Sequence, residues 1–175
     1  MQEKDSKQLS GEMIQVVSFS LGNEEYGVEI AQVQEINRMV QITHVPRAPH
    51  FMEGVINLRG QLIPIIDLRA RFGMPRVEHT KNTRIVVTEI GSKRVGMVVD
   101  AVSEVLRVPV EQVEEAPEMI SGVETEYIRG VGKLGDRLII MLDLQRVISA
   151  SEKRELETLD AAAPEATAPE ATAAP

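Results

Sequence analysis

Apolar and polar residues alternate from Ile14 to Leu21, where Val17, Phe19 and Leu21 stand against Ser18 and Ser20, and this predicts a strand with one buried face. Gly22-Asn23 supplies a turn and Tyr26 to Ile30 a returning strand, so the pattern predicts a hairpin. The strongest strand-turn-strand signal follows at Gly54 to Leu68, GVINLRGQLIPIIDL, and it comes back at Gly130 to Leu144 as GVGKLGDRLIIMLDL, at a constant offset of 76 positions (54 to 130, 68 to 144). The tight turns fall at Arg59-Gly60 and Gly135-Asp136, where a glycine supplies the positive φ that a two-residue loop requires.

The first hairpin is echoed as well. Arg84 to Ile90, a Gly91-Ser92 turn and Arg94 to Val99 repeat it, and Gly27, Ile30, Val33, Glu35 and Ile36 match Gly96, Val99, Val102, Glu104 and Val105, each pair 69 apart (27 to 96, 36 to 105). The change of offset from 69 to 76 places the extra residues in the acidic loop VEQVEEAPEMISGVETE. A duplication of this extent predicts a pseudo-symmetric pair of lobes with about five short strands each, and glycine turns at regular spacing favour small barrels.

Between the hairpins the signals are local. Ile30, Val33 and Ile36 are spaced for one or two helical turns or for an irregular strand, and Pro46 and Pro49 make residues 43–50 a loop. Pro64, which cannot donate to a ladder, predicts an edge or a bulge. Asp67 is placed to cap the helix-compatible LRARF that follows, with Gly73 ending it. Residues 1–13 lack periodicity and read as a flexible leader. Ser149 with Glu152 forms a capping box for a short helix over 151–160, and the repeated APEAT of 161–175 reads as a disordered tail.

Composition narrows the function. With 175 residues and no cysteine, the chain has no disulfide, thiol nucleophile or thiolate metal site, and about 150 ordered residues bury roughly 70% of their unfolded surface. Only five aromatic residues are present, so Val, Ile, Leu and Met must build the core. A net charge of −8 argues against a nucleic-acid binder. The longest apolar run, Leu138 to Leu142, is far short of a membrane helix, and the polar N-terminus shows no signal peptide, so a cytoplasmic protein without direct membrane insertion is expected.

Candidate chemistry is sparse. His44, His50 and His79 are scattered without ligand spacing, so no metal site is expected. Neighbouring acids such as Glu24-Glu25 and Glu114-Glu115 read as solvated charge in turns, and since adjacent residues of an extended chain point to opposite faces they do not converge as acid and base. Asp67 and Asp143, related by the repeat, each have a local capping role, and no glycine-rich loop opens a helix as a phosphate cradle would. No catalytic residue and no cofactor is expected. Arg59, at a hairpin tip between Asn57 and Gly60, is either a solvated arginine or an anchor presented on a rigid turn; the residues alone leave both open.

The blocks EEYGVEIAQVQEI, FMEGVINLRGQLIPIIDLRARF, RVGMVVDAVSEVL, APEMI and TEYIRGVGKLGDRLIIMLDL resemble, in order and over residues 14–150, the CheW family of bacterial chemotaxis adaptors. GVxNLRGxxxPxxDLR carries the resemblance most specifically. The resemblance implies an all-β fold of two SH3-like five-stranded β-barrels sharing a hydrophobic core, with short helices. It also implies a non-catalytic scaffold coupling the histidine kinase CheA, through its CheW-like regulatory domain, to methyl-accepting chemoreceptors in arrays at the inner face of the membrane. A CheW-type scaffold of a non-chemotactic array is the alternative; a receiver domain fused after residue 150 is not expected. By motif, the receptor groove falls on Val33, Glu35, Ile36, Gly54, Asn57, Arg59, Gly60, Val102 and Val105, and a kinase-binding face on Glu114 and Met119. Taken without the resemblance, Val33, Ile36, Val102 and Val105 read as core.

Overall fold

The computed structural model describes residues 12–115 and 127–147, so the leader up to residue 11, Met119, the 151–160 helix and the 161–175 tail lie outside the described residues. Eleven strands are described: β1 Met13–Leu21, β2 Glu24–Glu29, β3 Val33–Arg38, β4 Met52–Leu58, β5 Gln61–Asp67, β6 Arg84–Ile90, β7 Lys93–Val99, β8 Ala101–Pro109, β9 Val113–Glu114, β10 Ile128–Leu134 and β11 Arg137–Leu142. Two one-turn helices, α1 (Leu68–Arg71) and α2 (Leu144–Val147), complete them, together with 3-10 turns at Ile30–Gln32 and Val110–Gln112. Both spacings seen between Ile30 and Ile36 are therefore realised, first as a helical turn and then as a strand. Among the described residues no helix is long and apolar enough to cross a membrane.

The strands form two sheets, in the orders β8-β1-β2-β11-β10-β9 and β3-β6-β7-β5-β4. The sequence predicts two lobes, but neither lobe is one half of the chain. The first sheet takes β1 and β2 from the first repeat and β8 to β11 from the second, while the other joins β3, β4 and β5 to β6 and β7. The repeat is obeyed at residue level: Ile36 pairs with Val86 and, 69 positions on, Val105 pairs with Val17. Even the bulges match, one between Val33 and Glu35 on β3 and one between Ser18 and Phe19 opposite β8.

Three apolar clusters explain why the lobes hold together. One fills the barrel of the five-stranded sheet with Ile56, Ile63, Ile65, Ile85, Val87 and Val98, and a smaller one fills the other with Val16, Val108 and Met141. The difference is written in the repeat, since Gly132 and Ser18 stand where the larger cluster has Ile56 and Val87. The third and largest draws on both sheets, with Val17, Phe19, Tyr26 and Ile140 from one and Met52, Ile66, Val86 and Met97 from the other. Each such side chain contributes about 1.5–3 kcal/mol on burial, so this shared cluster is what fuses the lobes.

The cluster is pinned near the pseudo-symmetry axis. Phe51 and Tyr127, 76 apart, accept from Asp67 and Asp143, also 76 apart, through backbone bonds of 2.9 Å each. Arg71 lies between the two rings, its Cζ 4.9 Å from the Phe51 centroid and 5.1 Å from that of Tyr127. Its Nε donates to the carbonyl of Val147, the residue 76 positions on, at 2.7 Å.

Pro64 departs from expectation, because β5 is an interior strand. Val55, its partner across β4, exchanges both backbone bonds with Thr43 instead. The Val55–Pro64 pair is thus a non-hydrogen-bonded one, and the side of Pro64 lacking an N–H faces β7, whose pairing begins only at Ile65. A pocket of about 320 Å³ lined by Gln61, Pro64, Ser92 and Arg94 opens beside it.

Candidate functional site

β3 and β8 are equivalent edge strands, one in each sheet. The bulges reset their alternation, with the same result on both. Val33 and Val102 are half-buried against the shared cluster, while Ile36 and Val105 are 40% and 51% exposed. Apolar side chains that the sequence alone reads as core are thereby split into a floor and an exposed rim.

The β4–β5 hairpin reaches the same region. Arg59 and Gly60 take φ of 52° and 85°, the signs of a type I′ turn, and Asn57 Oδ1 accepts from Gly60 N–H at 2.8 Å to fix the tip. In the twin hairpin only Gly135, φ 60°, is positive. Arg59 Nη2 donates to Glu35 Oε2 on β3, while the Arg59 side chain stays 69% exposed. Gly54, by contrast, is buried beside the Thr43–Val55 bridge and meets the surroundings through its backbone.

Arg94, on β7, is the residue that sequence reasoning missed. Its Nη2 lies 3.7 Å from the same Glu35 oxygen, its Nε donates to Gln34 Oε1 at 2.6 Å, and its Nη1 donates to Gln61 Oε1. With its amide oriented to suit its neighbours, Asn37 donates to the other oxygen, Glu35 Oε1, at 3.2 Å. The repeat carried the signal. Arg94, Gln61 and Glu35 occupy the positions of Glu25, Arg137 and Glu104, and those three also cluster: Arg137 Nη2 bonds Glu25 at 2.6 Å and its Nη1 bonds Glu104 at 3.0 Å.

The remaining candidates do not gather here. Glu114, on β9, takes a 2.8 Å bond from Lys133 Nζ on an exposed face of the six-stranded sheet. Asp67 Oδ1 accepts from Arg69 and Ala70 N–H at 3.0 and 3.4 Å, and Asp143 Oδ1 from Gln145 N–H at 3.1 Å, so each carboxylate caps its own helix as the sequence predicts. His79 faces Glu53 at 3.7 Å and His50 stands edge-on to Phe51. No group of side chains suited to a metal ion occurs among the described residues. Near α1, Arg69 grips Asp100 with bonds of 2.9 and 2.6 Å. Those bonds hold the Asp100 carboxyl below its ordinary value, against partial burial, which pushes it up; the N–H of Gly22 adds to the lowering.

Two fused β lobes thus share a core and present an apolar seam, with an ion-paired arginine at its rim. A family model, the CheW-like domain, matches residues 15–152. The chain is 44% identical over 146 residues to the chemotaxis protein CheW of Klebsiella aerogenes, covering 82% of this chain and 88% of that protein. It is 33% identical over 155 residues to that of Treponema pallidum, covering 86% and 91%. Among solved structures, scaffolding protein TtCheW from Thermoanaerobacter tengcongensis superposes with a TM-score of 0.74 at 37% identity, over 79% of this chain and 94% of that one. The chain belongs to the CheW family, whose two-barrel fold it has.

Proposed function

We propose that this protein is a non-catalytic chemotaxis adaptor that couples the histidine kinase CheA to methyl-accepting chemoreceptors at the inner face of the membrane. The observation that carries this reading is the seam itself. Ile36 and Val105 offer exposed apolar surface from equivalent edges, Val33 and Val102 form the floor, and Arg59 stands at the rim on a tip that Asn57 and Gly60 fix. A rigid apolar groove with one charged anchor suits the tip of a helical hairpin laid into it, the form a receptor would present. Glu35 belongs to the groove as the counter-ion of Arg59, and Gly54 as the residue that sets the backbone beneath it. The kinase is assigned to the face bearing Glu114; Met119, its other residue, lies outside the described residues.

The test is a co-sedimentation of the full chain with CheA and a soluble receptor fragment. Arg59→Glu should weaken receptor binding by about 10- to 100-fold, the scale of an interface anchor. Stability should change by less than ~1 kcal/mol, since the Arg59–Glu35 pair is a surface one. Unchanged receptor binding by Arg59→Glu removes the groove assignment.

A further inference from the structure

Glu35 is claimed twice. One of its carboxylate oxygens, Oε2, faces both Arg59 and Arg94, and the two guanidiniums are held very differently. Arg59 is an exposed side chain on a hairpin tip, tied to Glu35. Arg94, only 32% exposed, is anchored by the amide oxygens of Gln34 on β3 and Gln61 on β5. Arg59 can therefore swing away, whereas Arg94 is fixed beside Glu35 by two strands.

We propose that Arg94 is a positioning residue for docking: it keeps the Glu35 carboxylate compensated when Arg59 leaves it for a carboxylate on the docked hairpin. The inference rests on the groove reading and deepens it by naming the chemistry of the partner group. Its physical basis is a comparison of the two states. In the free protein Arg94 competes for Glu35 Oε2 and loosens the hold on Arg59. In the complex, with water displaced from the seam, a carboxylate losing its only counter-ion would oppose binding, because an uncompensated charge in a drier setting is costly. Arg94 acts in the same direction in both states, so its removal weakens docking although it contacts nothing on the partner. The lobes differ here: at the twin position of Arg94 stands Glu25, and Gly135 takes the place of Arg59, so the device exists on one side of the seam only.

A double-mutant cycle on the full chain tests this, with a soluble chemoreceptor fragment that carries the helical-hairpin tip as the titrant. Arg94→Gln is expected to weaken binding about fivefold when Glu35 is present and less than about twofold in a Glu35→Gln background. A merely structural role through Gln34 and Gln61 would weaken both backgrounds equally; that result, or no weakening at all, overturns the proposal. Arg94→Lys retains the charge and loses the planar fork, so it is expected to bind within about threefold of the unmodified protein. A larger loss with Lys overturns the proposal even where Arg94→Gln fails to fold. Arg59→Glu, titrated in parallel, separates the two levels. If it binds normally, the groove assignment falls; if it loses binding while Arg94→Gln does not, only the role of Arg94 falls.

Discussion

Gly54→Ala is expected to be among the most damaging single-methyl additions this chain can receive. Gly54 has φ of 154°, a region essentially reserved for glycine, and a Cβ there would run into the carbonyl oxygen of Thr43 while lying 2.8 Å from Ile42 Cγ2. The backbone conformation alone costs about 1–3 kcal/mol. Thr43 and Val55 exchange two backbone bonds of 2.9 and 2.8 Å, and pushing Thr43 aside forfeits them at about 0.5–1.5 kcal/mol each. The sum is ~2–6 kcal/mol against a total stability on the order of 5–15 kcal/mol. Chemical denaturation followed by far-ultraviolet circular dichroism measures it, and a Tm lowered by roughly 5–20 °C is expected. Gly130→Ala is the comparison that isolates the backbone term, because this repeat twin does not have a left-handed φ although its Cβ would also press on Val113 Cγ1 at 2.8 Å and on the backbone oxygen of Glu114 at 2.9 Å. A Gly54→Ala protein within about 1 kcal/mol of the unmodified chain, or no less stable than Gly130→Ala, would refute the reasoning. Loss of receptor binding by Gly54 variants would then report a damaged hairpin base and not a lost contact.

Two further outcomes follow from groups already described. Arg71→Ala removes the guanidinium from between Phe51 and Tyr127 together with its bond to Val147, and should cost about 2–3 kcal/mol by denaturant titration, with Arg71→Lys recovering at most half. Asp100 is held low in the fold by Arg69, so its contribution is complete above its unfolded value, near about 3.9, and is lost as pH falls through the lower folded value. Asp100→Asn should therefore lower stability at neutral pH by about 1–2 kcal/mol and flatten the acid limb of the stability curve, whereas acid limbs that stay parallel would contradict the pairing.

What was legible in the chain was local or periodic. The hairpins announced themselves because Gly22, Gly60, Gly91 and Gly135 supply the positive φ their turns need, and the Asp67 and Asp143 caps because a short acid before a helical turn has one economical use. The duplication was readable to the residue, down to Ile36 and Val105. Partnership between strands was not, because alternation states which face of a strand is buried and is silent on which strand lies beside it; hence the exchange of the hairpins β1–β2 and β6–β7 between repeats went unseen. Pro64 misled for the same reason, its tolerance depending on Thr43 drawing away both backbone groups of Val55. The cluster around Glu35 joins residues 24 and 59 positions away, distances at which polar side chains leave no local pattern, although the repeat offsets pointed to it through Glu25, Glu104 and Arg137.

The crossing-over of strands between repeats also bears on how such a chain came to be and how it comes apart. A fragment carrying the first repeat alone would hold β1 and β2 of one sheet and β3, β4 and β5 of the other, two torn edges in place of one finished module. Duplication therefore yielded an interlocked dimer on a single thread. With one apolar cluster shared by both sheets, heat or denaturant is expected to dismantle the two barrels in one cooperative step, with coincident transitions by different probes as the check.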